Sequence, residues 1–505
     1  MTSISTRSSV LAIKKETTEN TPVFPTSATD YIALQPDFSM DSVFENLTND
    51  ELKASIGKSA PIIGAEAPTA SVSAYLRASG TVATAPNYGL LLEASLGAVT
   101  TASTEYDTVS SSTTSVIKVN TGEGATFQRG EALLIKDGTN GYRIRCIDSI
   151  SSDDLTIGFQ VPSAPASGVN LGKAVLYYPA NTGHPTITLT NYVGNGGVVQ
   201  MMSGARVTSA SFDIAAGQII KGSYNLEGLS YYYNPIEITS STRYLDFTDD
   251  TGTFAASVAV GFYKDPYDLA EALTTAMNTA NPAKTHTVTY QDTDGKFKIV
   301  CTGTVLTLKW NTGTNTANSI ATKIGFTTAA DSSGTAATTG YTSTNAMTLT
   351  APQTPSYDSA DPLAAKDNEV MVGDTADYAC FKASTVKLDI ATPKADILSV
   401  CEVSGKSGSI ITSREVKVSI EALLEKYDVQ DFKNFREGSN VKFQYSFGVK
   451  SGGSWVAGKC GALYCPTMKV SSFKLTDKDG LANVTMELTG YVNSSGEGEC
   501  FVNFL

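Results

Sequence analysis

Along residues 220–227 apolar and polar positions alternate. Ile220, Gly222, Tyr224 and Leu226 share one side of the pattern, while Lys221, Ser223, Asn225 and Glu227 share the other. Successive strand side chains leave opposite faces, so this segment reads as a strand with one dry face and one wet face. The pattern returns at Ala482, Val484, Met486 and Leu488, with Asn483, Thr485, Glu487 and Thr489 opposite. Each run is the return strand of an expected β-hairpin, over 206–228 and 469–490, with turns at "AAGQ" and "DKDG". Val207 and Gly217 match Val470 and Gly480 at an offset of 263, and "SYNLEG" matches "TMELTG" at 262.

A second pair of segments keeps the same order. "IGKSAPIIGAEAPTASVSAYL" (56–76) sets Gly57-Lys58-Ser59 and Ile62-Ile63 against Gly405-Lys406-Ser407 and Ile410-Ile411, at an offset of 348. After a two-residue gap, Val72-Ser73 matches Val418-Ser419. The Gly-Lys-Ser tripeptide is not a phosphate-binding loop, because the glycine required five residues earlier is Leu52. Recurrence of the tripeptide together with its downstream strand marks a duplicated structural unit.

The fall in offset places 85 additional residues in the first copy. Most of them read as a small β module at about 110–178, a five-stranded barrel or sandwich with a turn at "DGTNG". A second insertion, 236–345, reads as α+β. Asp265 caps a helix with Pro266 at its first position, and Leu269, Leu273 and Met277 recur on one face. The hairpin "VTYQDTDGKFKIVCT" follows, turning at Asp294-Gly295, then "VLTLKW" and a short helix near "TANSIATKIGF". The expected division is an arm at 1–29, a β unit at 30–235 interrupted by 110–178, the insertion at 236–345, a linker at 346–379 and a second β unit at 380–505. The last contains a helix within "SIEALLEKYDVQDFKNFREG" and a strand at "VKFQYSFGVK". The fold class is mainly β.

Composition narrows the function. Of 505 residues 17% are charged, and the formal net charge is −13. No Lys/Arg patch stands out, so the counterion release that drives non-specific DNA binding has no footing. No stretch reaches the roughly 18 apolar residues of a membrane span. The N-terminal segment lacks the apolar core of a secretory signal, so maturation in a cytosol is expected. Seven scattered cysteines read as reduced, half-buried thiols.

The sequence offers no catalytic, cofactor or metal site. His184 and His286 are the only histidines and fall in different expected modules, which argues against a His-based nucleophilic pair. "DFTDDTG" and "DTDG" lack the spacing of a calcium loop and read as turns. No glycine-rich fingerprint follows a strand and opens a helix. The expectation is a non-enzyme. In "LSYYYNP", consecutive tyrosines on a strand face both ways, which marks Tyr231, Tyr232 and Tyr233 as a candidate subunit interface.

"NDELKASIGKSAPIIGAEAPTASVSAYL", "APNYGLLLEASLG" and "GARVTSASFDIAAGQIIKGSYNLEGLSYYY", in that order, resemble the major tail tube proteins of long-tailed bacteriophages, in particular the large, internally duplicated type of siphoviruses with non-contractile tails. The resemblance covers about 30–105, 180–235 and 380–505, and the 236–345 insertion also looks like a phage tail module. It implies two β-sandwich units whose strands join those of neighbours in a closed inner barrel, a virion protein assembled in the host cytoplasm, and rings stacked into a DNA channel. Its implied partners are further copies of the chain, the tail terminator, tape measure and distal tail proteins, and DNA passing without specific binding. Two units per chain suggest three chains in a pseudo-sixfold ring, with six chains the alternative, and insertions on the outside. Acidic and polar walls repel phosphate, so Glu227, Glu421 and Glu487 are the expected lumen residues. The competing readings are an exported β-rich surface protein or adhesin, and a polysaccharide-processing tail enzyme with paired carboxylates.

Overall fold

Alternation of this kind builds a wall. The computed structural model describes all residues except 1–4, 52, 54–55, 138–140, 335–336, 425–429 and 494–497. Leu52 and the middle of the "DGTNG" turn therefore lie outside the described residues. The chain divides into two compact units, one of Ile13–Thr188, Gly204–Leu229 and Pro355–Leu505, the other of Met1–Ala12, Leu189–Ser203 and Ser230–Thr354.

In the larger unit the strands that carry the argument are β1 (Ser39–Asp41), β2 (Phe44–Leu47), β3 (Ile62–Glu66), β4 (Thr69–Tyr75), β5 (Val198–Ala215, in this unit from Gly204), β6 (Lys221–Glu227), β7 (Ala383–Ala391), β8 (Lys394–Leu398), β9 (Lys406–Ile411), β10 (Glu415–Leu423), β11 (Ser454–Lys478) and β12 (Leu481–Gly490). Antiparallel ladders run without a break through β1, β4, β6, β5, β7, β10, β12 and β11. One register row of the dry face reads Phe212, Leu388, Val418, Leu488 and Val470 across five strands, each 5% exposed or less. Burial of each such side chain is worth roughly 1.5–3 kcal/mol, which holds the register against a one-residue slip.

The duplication is geometric as well as sequential. β4, β6 and β5 repeat as β10, β12 and β11. A β-bulge interrupts the β5–β6 ladder between Val207 and Ser209, and another interrupts β11–β12 between Val470 and Ser472. The extra residues, Thr208 and Ser471, donate their hydroxyls to the carbonyls of Asn225 and Glu487, at 3.3 and 3.1 Å. The matched turn glycines, Gly217 and Gly480, have φ of 74° and 79°. An added Cβ at either meets open space, so the left-handed backbone is what calls for glycine. Ahead of β4 and β10 stand the hairpins β2–β3 and β8–β9. Lys406 of the second Gly-Lys-Ser is buried at 3% and pairs with Asp396 at 2.6 Å, a structural role for that lysine.

Two expectations are corrected in this unit. The 110–178 module is four-stranded: Val116–Lys118, Asp154–Ile157, Tyr142–Ser151 and Ala132–Lys136. Its expected fifth strand, Val175–Pro179, instead pairs Gly97–Thr101 and Phe501–Phe504. Val175, Leu176 and Tyr177 are buried within 1%, since strands flank them on both sides. The stretch read as linker, 346–379, contains a strand, Glu369–Gly373, paired with Asn440–Ser451. Val370, Met371 and Val372 are all buried, and burial of this run favours a strand over a solvated linker.

The smaller unit is α+β. Helix Pro266–Ala280 starts where Asp265 accepts from the Tyr267 and Asp268 amides at 2.8 and 2.9 Å. Leu269, Leu273 and Met277 bury their side chains against Phe247, Phe297 and Trp310 in one apolar cluster. The hairpin His286–Gln291 with Lys296–Cys301 turns at Gly295, φ 69°. The helix expected near "TANSIATKIGF" is a 3-10 turn, Thr316–Asn318, followed by further turns; Ile320 and Ile324 are anchored in the core. Of the seven cysteines, which all carry free thiols, five are buried and Cys380 and Cys401 exposed, a sharper division than half-burial.

Candidate functional site

The wet face of the eight-stranded wall aligns polar side chains from strand to strand. One register row reads Tyr75, Lys221, Asp213, Lys387, Ser419, Glu487 and Ser472 across β4, β6, β5, β7, β10, β12 and β11. The next reads Thr385, Glu421, Thr485 and Lys474. Glu421 and Glu487 therefore sit on adjacent strands of one face. Glu227 shares that face at the end of β6, with β5 and β7 between it and β10.

Charge on the face is balanced rather than acidic throughout. Lys387 pairs with Asp389 at 3.0 Å and Lys417 with Glu415 at 2.8 Å, each across two positions of its own strand. Lys478 lies 3.0 Å from Glu421, and Lys221 pairs with Asp37. The hydrogen bond from Lys478 holds the Glu421 carboxyl below its ordinary range, and the hydrogen bond that Lys387 donates to Asp389 holds its ammonium above its own. Lys394 reaches Glu227 at 3.5 Å. Most lysines a phosphate would meet on this face already lie against carboxylates, Lys474 being an exception. These interleaved lysines were missed in the sequence, although "TVKLDIA" (385–391) alternates as plainly as the hairpins do.

Tyr231, Tyr232 and Tyr233 belong to the smaller unit, on the strand Ser230–Tyr233, paired with Gln200–Ser203. Tyr232 is buried at 7% with its ring edge-on to Phe262, and Tyr233 is 47% exposed.

The titratable side chains most suggestive of chemistry have structural explanations. His184 in the larger unit is held neutral near pH 7, its pKa pushed down to about 4 by burial and by Arg414 and Arg206. In the smaller unit Asp249, His286 and Cys301 bring a carboxylate oxygen, a ring nitrogen and a sulfur within 4.8 Å of one another, all buried. Asp249 already accepts from the Thr251 amide and hydroxyl at 2.8 and 2.6 Å and from the Asn281 amide at 2.5 Å. His286 Nε2 lies 3.3 Å from the same carboxylate, and burial lowers its pKa. The carboxylate is thus satisfied by protein donors.

A family model described as "Phage tail tube protein" matches residues 6–262, just over half of the chain. The chain belongs to the phage tail tube protein family. No curated protein sequence matches it. Among solved structures it is similar to the SPP1 tail tube, described by solid-state NMR and cryo-EM, at 12% identity and a TM-score of 0.19, over 28% of this chain and 77% of that one. As a family member the protein is a structural component of the virion tail that assembles with itself into a stacked tube, and the adhesin reading finds no support.

Proposed function

We propose that three copies of the chain close each ring of the tube, each contributing two repeats to a pseudo-sixfold wall, and that rings stack into the channel through which DNA leaves the particle. The observation that carries this reading is the unbroken ladder in which β5 of the first repeat pairs β7 of the second. One chain already contains a joint between two repeats, so a ring of repeats needs no new kind of contact.

Three walls of eight strands make a barrel of about 24 strands. At ~4.8 Å strand spacing and ~40° tilt its backbone circle is about 48 Å across. The wet face lines the bore, with Glu227, Glu421 and Glu487 on it and the paired lysines between them. The dry face is covered from outside, and the 110–178 module projects away from the bore. Tyr231, Tyr232 and Tyr233 contribute to contacts between copies. Hairpins β2–β3 and β8–β9 serve ring stacking; Ile62, Ile63, Leu398 and Ile410 are 57–74% exposed on them, an apolar surface suited to a second layer. Assembly takes place in the host cytoplasm, with tape measure, terminator and distal tail proteins bounding the tube. The protein performs no catalysis.

Negative-stain imaging of the purified chain at rising concentration tests this. Hollow tubes or stacked rings are expected; monomers that never assemble, alone or with the remaining tail proteins, would overturn it.

A further inference from the structure

The joint between repeats is complete in one place in the chain and half-made in two others. In the complete joint β5 faces β7, with Ser209 opposite Ala391, Ala210 opposite Ile390, Ser211 opposite Asp389 and Phe212 opposite Leu388. Just beyond, Thr392 turns back onto the bulge. Its amide donates to the Thr208 carbonyl at 2.8 Å and its hydroxyl to the Val207 carbonyl at 2.7 Å.

Each partner has a counterpart elsewhere in the same wall. β11 is the repeat of β5, its bulge residue Ser471 standing for Thr208. β1 is the repeat of β7. Ser39, Met40 and Asp41 pair with β4 as Asp389, Ile390 and Ala391 pair with β10, which makes Ser42 the counterpart of Thr392. These are the two ends of the wall. Among the described residues no ladder covers the outer edge of β1. On β11 the ladder to Asn440–Ser451 stops at Lys469, and among the described residues none covers the edge from Val470 onward. Exposure differs accordingly. Phe212 in the complete joint is 0% exposed, whereas its counterpart Leu475 is 68% exposed. Thr392 is buried, and Ser42 and Ser471 are exposed.

We infer that β11 of one chain pairs antiparallel with β1 of a second copy in the register of the β5–β7 joint: Ser472 opposite Asp41, Phe473 opposite Met40 and Lys474 opposite Ser39, with the Ser42 hydroxyl on the Val470 carbonyl. Chemistry on both faces agrees. Phe473 meets Met40 on the dry side, and extending the pairing one residue sets Phe38 over Leu475. On the wet side Lys474, which has no ion-pair partner among the described residues, lies diagonal to Asp41, near enough for opposite charges to attract. Pairing also removes two open strand edges that otherwise invite aggregation.

This inference rests on the tube reading, and cysteine cross-linking separates the two. In a background with Cys380 and Cys401 replaced by serine, the Ser39→Cys/Lys474→Cys chain is assembled and mildly oxidised. A covalent ladder ending at the closed ring is expected, with none from the off-register pair Ser39→Cys/Phe473→Cys. Leu475→Asp, at an exposed position, should abolish assembly while leaving the monomer's melting temperature unchanged. Tubes that form without the Ser39–Lys474 cross-link, or despite Leu475→Asp, overturn this joint and leave the tube reading standing. Absence of any assembly in the cysteine-replaced parent overturns both.

Discussion

The Thr392 hydroxyl donates to the Val207 carbonyl at 2.7 Å, fully buried, at the point where the second repeat leaves the first. It is the side-chain latch on the joint between the two repeats. Thr392→Val keeps the volume and removes the donor, leaving a buried carbonyl without this partner. It should cost about 1–3 kcal/mol in chemical denaturation of the monomer, with Thr392→Ser close to wild type. Equal stability of Val and Thr at this position would mean the latch contributes nothing.

In the larger unit Arg414 and Glu499 form an ion pair buried at both ends. Their side chains are 8% and 9% exposed, with Nη2 to Oε2 at 2.9 Å, and Arg414 Nη1 also donates to the Leu96 and Ala180 carbonyls at 3.2 and 3.1 Å. Arg414→Met strands a buried carboxylate and should destabilise by about 3–5 kcal/mol. The double replacement Arg414→Met/Glu499→Leu should recover much of that loss. A double variant no better than the single would show that the guanidinium's carbonyl contacts, not the charge pair, dominate.

Glu131 gives a pH signature. Burial pushes its carboxyl up to about 7, only partly opposed by the Gln128 amide that donates to it. The folded state therefore holds the proton more tightly than the unfolded state does. This contribution is fully present below about pH 4.5 and is lost as pH rises through about 7. Relative to Glu131→Gln, the wild-type protein should lose up to about 3 kcal/mol across that window. Parallel stability–pH curves for the two proteins would remove the assignment.

Charge reversal on the wet face tests its relation to DNA. Assembled tubes of Glu227→Lys/Glu487→Lys should retain duplex DNA at ~50 mM salt and release it near ~200 mM, with wild-type tubes retaining little at either. Indistinguishable retention would place these residues away from the DNA path.

The repeats were legible because alternation and turn glycines survive duplication: Tyr224 and Met486 keep the dry face, Gly217 and Gly480 the turn. What repeats by geometry alone was not. Ser39–Asp41 and β7 share no residue identity at matched positions, so the strand pair that defines the joint left no trace in a comparison of letters. The sheet that Val175–Pro179 joins is not legible, because a strand flanked on both sides is buried on both faces and carries no mark of its neighbours. Glu227, Glu421 and Glu487 could be read onto a wet face from period two. The lysine partners of Glu227 and Glu421 could not, since Lys478, for one, reaches Glu421 from two strands away.

Image reconstruction of the assembled tube at a resolution that separates strands tests the central claim. The expected result is three chains per ring in a continuous wall of about 24 strands, with Asp213, Glu421 and Glu487 facing the bore. Six chains per ring, or a wall with these side chains turned outward, would contradict it.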